Sequence, residues 1–380
     1  MLVDSRNEEP AWTGPAPRPN IEAIKPYKPG KPIEQVVREL GLRGHIDKLA
    51  SNENPLGPSP KALAALRKEL KNLHYYPEDS CHVLRDKLAK RFKAPLDGVM
   101  VGNGSVDIIL QACLAFLGPE TDLVTSVGSF VMAKVGTAVA GGRCLEVPTD
   151  EYRHDLDRIL ENVTERTRIV YLDNPMNPLG TMVNRRELDK FVSRLPDHVL
   201  LIVDEAYAEY ITSRFYPRAL DYVKKKRNVL VLRTFSKVYG LAGLRVGFGI
   251  TRPELAGTIG KVRLPFNVSR AAQVAAAAAL DDTAHVEKSR KLVDEGRKYL
   301  CAELKRLQVF NIPSLTNFVL VNFAVNAQAV FEALQRHGVI TRTVRQYGFP
   351  NALRVTIGTA DQNKRFIKAL GAALEQLKTQ

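Results

Sequence analysis

Short strand-like runs recur along the first two thirds of the chain: Leu123–Thr125, Arg143–Val147, Ile169–Leu172, Val199–Val203, Asn228–Leu232 and Val246–Ile250. Between and before them lie stretches whose apolar positions return at helical spacing, among them Pro60–Leu70, Ser80–Phe92, Val106–Leu117 and Asn184–Leu195. Runs that are apolar on nearly every residue predict strands buried on both faces. Their alternation with helices predicts a mostly parallel sheet in an α/β fold. Ala271–Leu280 and Thr283–Leu307 predict long helices, the second charged along one side and placed to bridge two bodies. Beyond them Phe318–Phe323, Ala327–His337, Val339–Arg342, Leu353–Ile357 and Gln362–Leu377 alternate strand and helix again, which predicts a smaller α/β domain.

The start of the chain follows neither rhythm. Prolines at 10, 15, 17, 19, 26, 29 and 32 predict an extended arm that joins no helix or central strand and is disordered at its tip. Ile33–Leu40 predicts the first short helix.

Composition narrows the class. The 380 residues are 45% hydrophobic and 25% charged, ordinary for a globular protein of about two domains. No apolar run reaches the roughly 18 residues of a membrane span. Met1–Pro10 carries acids and no apolar segment, so no secretory signal is expected. Cys81, Cys113, Cys144 and Cys301 are scattered without metal-ligand or disulfide spacing, which predicts reduced thiols, a cytoplasmic protein and no metal. The net charge of +14 suits nucleic acid or an acidic small molecule. Because bases and acids are interspersed, the small molecule is the favoured reading. The one dense run, Lys224-Lys225-Lys226-Arg227, predicts a solvated loop.

Several strand ends carry polar groups. Ligands of open α/β sheets bind beyond the carboxyl ends of the strands, where Asp204 follows Val199–Val203. Taken alone, Asp204 reads rather as a helix cap after a strand, which is the commoner case. The next strand ends in Arg233-Thr234-Phe235-Ser236-Lys237. A lysine there, among small hydroxyl residues, suits Schiff-base chemistry, and Arg245 could clamp a phosphate through paired hydrogen bonds. Taken alone, Lys237 reads as a solvated loop residue. Asn177 sits in the rigid turn Asn174-Pro175-Met176-Asn177-Pro178 and could donate an amide proton to a phenolate oxygen. Gly102-Asn103-Gly104-Ser105 precedes a helix, where exposed N–H groups and the helix dipole favour an anion; a plain glycine turn is the competing reading.

The order of these pieces carries more than any one of them. Leu49-Ala50-Ser51-Asn52-Glu53-Asn54-Pro55, Tyr76-Pro77, Gly102–Ser105, Asn174–Gly180, Asp204-Glu205-Ala206-Tyr207, Thr234–Lys237 with Gly240–Arg245, and Leu353–Gly358 follow one another over most of the chain. In this the chain resembles the fold-type I pyridoxal-5′-phosphate (PLP) aminotransferases, and among them the histidinol-phosphate aminotransferase branch. The resemblance implies a large domain (48–280) built on a mostly parallel seven-stranded sheet flanked by helices, a small C-terminal domain (281–380), and an N-terminal arm (1–47) joined to the small domain. It implies that Lys237 carries PLP as a Schiff base and then moves the substrate proton. Asp204 would pair with the pyridinium nitrogen, and Asn177 and Tyr207 would bond the cofactor's 3′-oxygen. Gly104, Ser105, Thr234, Ser236 and Arg245 would hold its phosphate, and Phe130 would stack on its ring. Tyr76 would reach the phosphate in the neighbouring subunit of a homodimer. Arg354, Arg342 and Asn52 would bind substrate, Arg354 through a carboxylate and Arg342 through a distal phosphate. The implied partners are an amino donor and a 2-oxo acid, with no nucleic acid and no membrane. Two positions depart from the family pattern: Ala133 stands where many relatives have a tyrosine, which is expected to alter the pocket wall, and Met176 stands third in the Asn-Pro turn. An aromatic amino-acid aminotransferase and a phosphothreonine-type decarboxylase share the same motifs. A basic nucleic-acid-binding protein would have no need of Lys237.

Overall fold

The structure is a computed structural model that describes residues 14–26, 30–41, 44–225 and 227–378. The disorder expected at the tip of the arm concerns residues 1–13, outside this set. The described residues form thirteen strands: β1 (Asp47–Lys48), β2 (Val99–Gly102), β3 (Asp122–Ser126), β4 (Arg143–Val147), β5 (Thr167–Asp173), β6 (Leu200–Asp204), β7 (Val229–Thr234), β8 (Gly247–Ile250), β9 (Phe310–Ile312), β10 (Phe318–Asn322), β11 (Val339–Ile340), β12 (Arg342–Val344) and β13 (Phe349–Thr356).

Seven of them make one sheet in the order β2-β8-β7-β6-β5-β3-β4. Neighbours from β4 to β7 are parallel, and β8 runs antiparallel to both β7 and β2. The apolar runs become strands because both faces are covered. Val170 and Leu172, Leu201 and Val203, and Val229 and Val231 pack on one side with Leu188, Phe191 and Val192 of the helix Arg185–Arg194. Ile169 and Tyr171, Leu200 and Ile202, and Leu230 and Leu232 pack on the other with Ile108, Ile109 and Ala112 of the helix Ser105–Phe116. The period of two along each strand thus divides the core into two layers. Asn184 starts its helix with a reciprocal cap: its side chain accepts from the Glu187 amide, and the Glu187 carboxylate accepts from the Asn184 amide.

The C-terminal part alternates strand and helix as expected, yet its four-stranded sheet, β12-β13-β10-β9, is antiparallel throughout. Short turns join β9 to β10 and β12 to β13. Parallel pairing needs a long crossover, so these neighbours fold back on each other. β1 pairs in parallel with β11, and the backbone then continues alongside β13, with the Thr356 amide donating to Leu49 O at 2.9 Å.

Two further expectations are corrected. The proline-rich arm does form a helix, Pro19–Glu22, because proline at the first helical position loses no hydrogen bond. Asn20 Nδ2 donates to Ala138 O at 2.8 Å, tying that turn to the helix Val131–Ala140 beside the large sheet, whereas the helix Ile33–Leu40 sets Val36 against Ala50 and Ile340. The basic run is no plain loop: Lys224 closes the helix Leu220–Lys224, and Arg227 donates to the Val192 and Leu195 carbonyls. The helices Leu156–Glu161 and Pro253–Gly260 and strand β9 escaped the sequence pattern, being short or weakly periodic. Among the described residues no helix is long and apolar enough to cross a membrane.

Candidate active site

The carboxyl ends of β5, β6 and β7 lie side by side and bring Asp173, Asp204 and Thr234 to one edge. β2 runs in the same sense as β7 across β8, so the Gly102–Ser105 turn reaches that edge too. A cavity of about 260 Å³ opens there, and its walls include Ser51, Ser105, Phe130, Asp204, Asn177 and Lys237.

Lys237 is placed by the turn that follows β7. Phe235 is fully buried against Tyr239 and Phe248, and its amide donates to Val246 O. Gly240 closes the turn with φ +70°; a Cβ there would meet Gly57 O at 2.0 Å, so only glycine fits. The Lys237 amine donates to Ser51 O at 3.2 Å. Burial, followed by the positive charges of Arg354 and Arg245, lowers its pKa to about 7. Its neutral form, the nucleophile, is therefore well populated at neutral pH.

Asp204 shows the opposite shift, and burial is again the main cause: its pKa is raised to about 7. Its hydrogen-bond donors are neutral, Tyr171 Oη at 2.9 Å and the Ala206 amide at 3.1 Å. A cation in the cavity would favour the charged carboxylate. Asn177 Oδ1 accepts from Arg354 Nη1 at 2.7 Å. Tyr207 Oη accepts from Asn52 Nδ2 at 2.9 Å, and burial raises the phenol's pKa.

The other end of the cavity is an anion cradle. Ser105 and Val106 line it at the N-terminus of the helix Ser105–Phe116, with Thr234, Ser236 and Arg245 opposite. A Cβ on Gly104 would fall 2.6 Å from Arg245 Nη2, and one on Gly247 would fall 2.3 Å from the Ser105 amide. Glycine at both positions lets the backbone and the guanidinium close on the same point.

A model of the family described as aminotransferase class I and II matches residues 45–370. The chain belongs to this family. It is 45% identical to the histidinol-phosphate aminotransferase of Moorella thermoacetica, over 97% of this chain and 96% of that one. It is also 45% identical to the enzyme of the same name from an Anaeromyxobacter species, over 94% and 98%. Among solved structures it resembles the histidinol-phosphate aminotransferase of Sinorhizobium meliloti in complex with pyridoxal-5′-phosphate, with a TM-score of 0.86, 28% identity, and 94% and 97% of the two chains covered.

In this aminotransferase most of the expected site residues converge: Ser105, Phe130, Asn177, Asp204, Tyr207, Thr234, Ser236, Lys237 and Arg245 line one cavity, with Gly104 at its edge. Others do not. Tyr76 is 79% exposed and stacks on Phe266, in a surface hollow that shares Arg245 with the cavity. Arg354 approaches through Asn177 and also donates to Ala50 O at 2.7 Å. Arg342 lies opposite Arg354 in the β12–β13 pairing, and both are buried. Asn52, expected to bind substrate, does not line the cavity; its side chain bonds Tyr207, which does, and Thr356. Ala133, expected on the pocket wall, is buried in the cluster of Ile108 and Ile109, because its helix turns that position toward the core. Met176 is buried with Leu179 and Leu320 between the two sheets.

Sequence reasoning passed over two residues. Asp173 Oδ2 accepts from the Phe130 amide at 3.1 Å and the Asn177 amide at 2.7 Å, and so holds both flanks of the cavity. Its place at a strand end, next to Asp204, was the available signal. Tyr171 was visible only as the one aromatic residue in an aliphatic strand.

Proposed function

We propose that this chain is a PLP-dependent aminotransferase that moves an amino group between L-histidinol phosphate and 2-oxoglutarate, with imidazole acetol phosphate and glutamate as products, in two half-reactions at one site. The observation that carries it is a buried lysine amine of lowered pKa in one cavity with Asp204 and an anion cradle. The residues fit the cofactor: the cradle suits its phosphate, Phe130 its ring, and Asp204 lacks the cation that a protonated ring nitrogen would supply. The choice of substrate rests on the histidinol-phosphate aminotransferases to which the chain is similar.

When bound, PLP supplies an electron sink for the carbanion left when the substrate Cα–H bond breaks. Lys237 Nζ, neutral in this setting, takes the proton from Cα and returns it on the other side of the reaction. Asp204 holds a negative charge against the ring nitrogen. Ser105, Thr234, Ser236 and Arg245 anchor the phosphate. Arg354 meets the glutamate carboxylate and, in the other half-reaction, the phosphate end of histidinol phosphate, with Arg342 beside it. The basic field of the chain draws in both anionic substrates.

The same reading makes the protein a cytoplasmic homodimer. Leu73, Tyr75, Tyr76 and Phe266 are exposed in the hollow at Arg245, and a second copy covering them would bring Tyr76 to the partner's phosphate cradle. The test is a spectral one. Each amino donor is mixed with the yellow holoenzyme without 2-oxoglutarate, and the bleaching rate of the visible band is followed. Histidinol phosphate should bleach it faster than phenylalanine or tyrosine. The reverse ranking would move the assignment to an aromatic aminotransferase.

A further inference from the structure

Asn177 and Tyr207 both face the cavity, and each is bonded on its far side by a residue that controls which way its protons point. Arg354 has donors only, so its 2.7 Å bond fixes the Asn177 carbonyl toward the guanidinium and leaves the amide N–H₂ for the cavity. A longer relay governs Tyr207. The Asn52 backbone N–H donates to Thr356 Oγ1 at 2.9 Å, and that hydroxyl donates to Asn52 Oδ1 at 3.2 Å. Asn52 Nδ2 in turn lies 2.9 Å from Tyr207 Oη. All three side chains are buried. With the Asn52 amide the other way round, the Thr356 hydroxyl would lose its acceptor in buried space, an unfavourable state.

We propose that Asn52 and Thr356 are positioning residues whose hydrogen bonds force Tyr207 to donate its proton into the cavity, so that Tyr207 and Asn177 present two donors to one anionic oxygen. The inference rests on the PLP reading of the site, where that oxygen is the cofactor's ring oxygen. Two donors satisfy the anion from the protein side, which weakens its hold on the proton of the adjoining lysine–cofactor link and eases that proton's loss. The relay thereby lowers the pH at which the bound cofactor changes its visible absorption. It also explains why Asn52, next to the cavity residue Ser51, bonds Tyr207 and does not line the cavity itself. The Asn52 carbonyl is held by Asn317 Nδ2 at 2.9 Å and its φ is +56°, a conformation that asparagine and aspartate tolerate and most residues do not.

Asn52→Asp keeps shape and backbone preference but replaces the donor with acceptors, so Tyr207 would give its proton to the new carboxylate instead of the cavity. The holoenzymes of the wild type, Asn52→Asp and Thr356→Val are titrated from acid to base, and the midpoint of the visible band is read. Asn52→Asp should raise the midpoint by about one pH unit or more, tenfold in the proton equilibrium. Thr356→Val, which frees the Asn52 amide to turn, should raise it less. A wild-type protein with no visible band on adding PLP would overturn the cofactor reading itself. A normal wild-type titration that neither variant shifts would overturn the relay alone. Should Asn52→Asp not fold, Thr356→Val decides: an unshifted midpoint refutes the relay, and a raised one supports it.

Discussion

Lys237, Asp204 and Asp173 reach the cavity from the ends of neighbouring parallel strands, whereas Asn52, Arg354 and Thr356 approach it from the N-terminal crossover and the antiparallel sheet. The first group is set by local chain: Asp173 and Asp204 pair in register, and Lys237 is the third residue after β7. The second is assembled across the sequence. Asn52 meets Thr356 over 304 residues, and Arg354 meets Asn177 over 177. The difference separates the tasks. Groups that make and hold charge sit on the rigid sheet, which fixes their spacing and burial. The groups proposed to orient protons and meet substrate come from the smaller antiparallel sheet and the chain that follows β1.

Substitutions on the strand-end side should therefore have the largest effects on the rate. Lys237→Ala removes the amine that carries the proton, and kcat should fall by about 10³-fold or more while the far-ultraviolet circular dichroism is kept. Residual turnover near the wild-type rate would break the comparison at its strongest point. Asp204→Asn keeps the shape but not the charge, and kcat should fall by about 10²- to 10³-fold. On the other side the loss should appear in substrate binding. Arg354→Lys keeps a charge but cannot bond Asn177 and Ala50 together, so KM for glutamate should rise about tenfold with kcat less affected. A kcat loss as large as that of Asp204→Asn would place Arg354 with the chemical group.

The pH dependence sharpens the same contrast with a smaller effect. An amine must be neutral to attack a carbonyl, and it is neutral above its pKa. With the Lys237 pKa lowered to about 7, PLP uptake by cofactor-free protein should rise as pH passes through about 7 and then level off. A solvated lysine, with a pKa of about 10.4, would still be gaining above pH 9. Stopped-flow absorbance across that range distinguishes the two.

Legibility in the sequence follows the same division. Lys237, Asp204 and Asn177 became candidates because each comes after an apolar run that reads as a buried strand, and strand ends mark the site; the order of the motifs then decided for them. Asp173 obeys the same rule but opens a proline turn, which hid its bonds to the Phe130 and Asn177 amides. Asn52 was assigned to substrate by family resemblance alone, and its contact with Thr356, 304 residues away, is named by no nearby signal. Ala133 was expected to alter the pocket wall because many relatives of the family have a tyrosine there, and the helix turns this position into the core. The smaller sheet was expected from its alternation of strand and helix, but strand direction depends on which connections are too short to cross over. Family resemblance supplied the roles; the contacts that orient them emerged only from the folded chain.

The most direct measurement is the mass of the peptide that carries the cofactor. The holoenzyme is treated with borohydride, which reduces the lysine–cofactor link to a stable secondary amine, and is then digested and mapped. The cofactor-bearing peptide should be the one that contains Lys237, with the added mass on that residue. Label on another lysine, or no covalent label on a protein that binds PLP, would contradict the account.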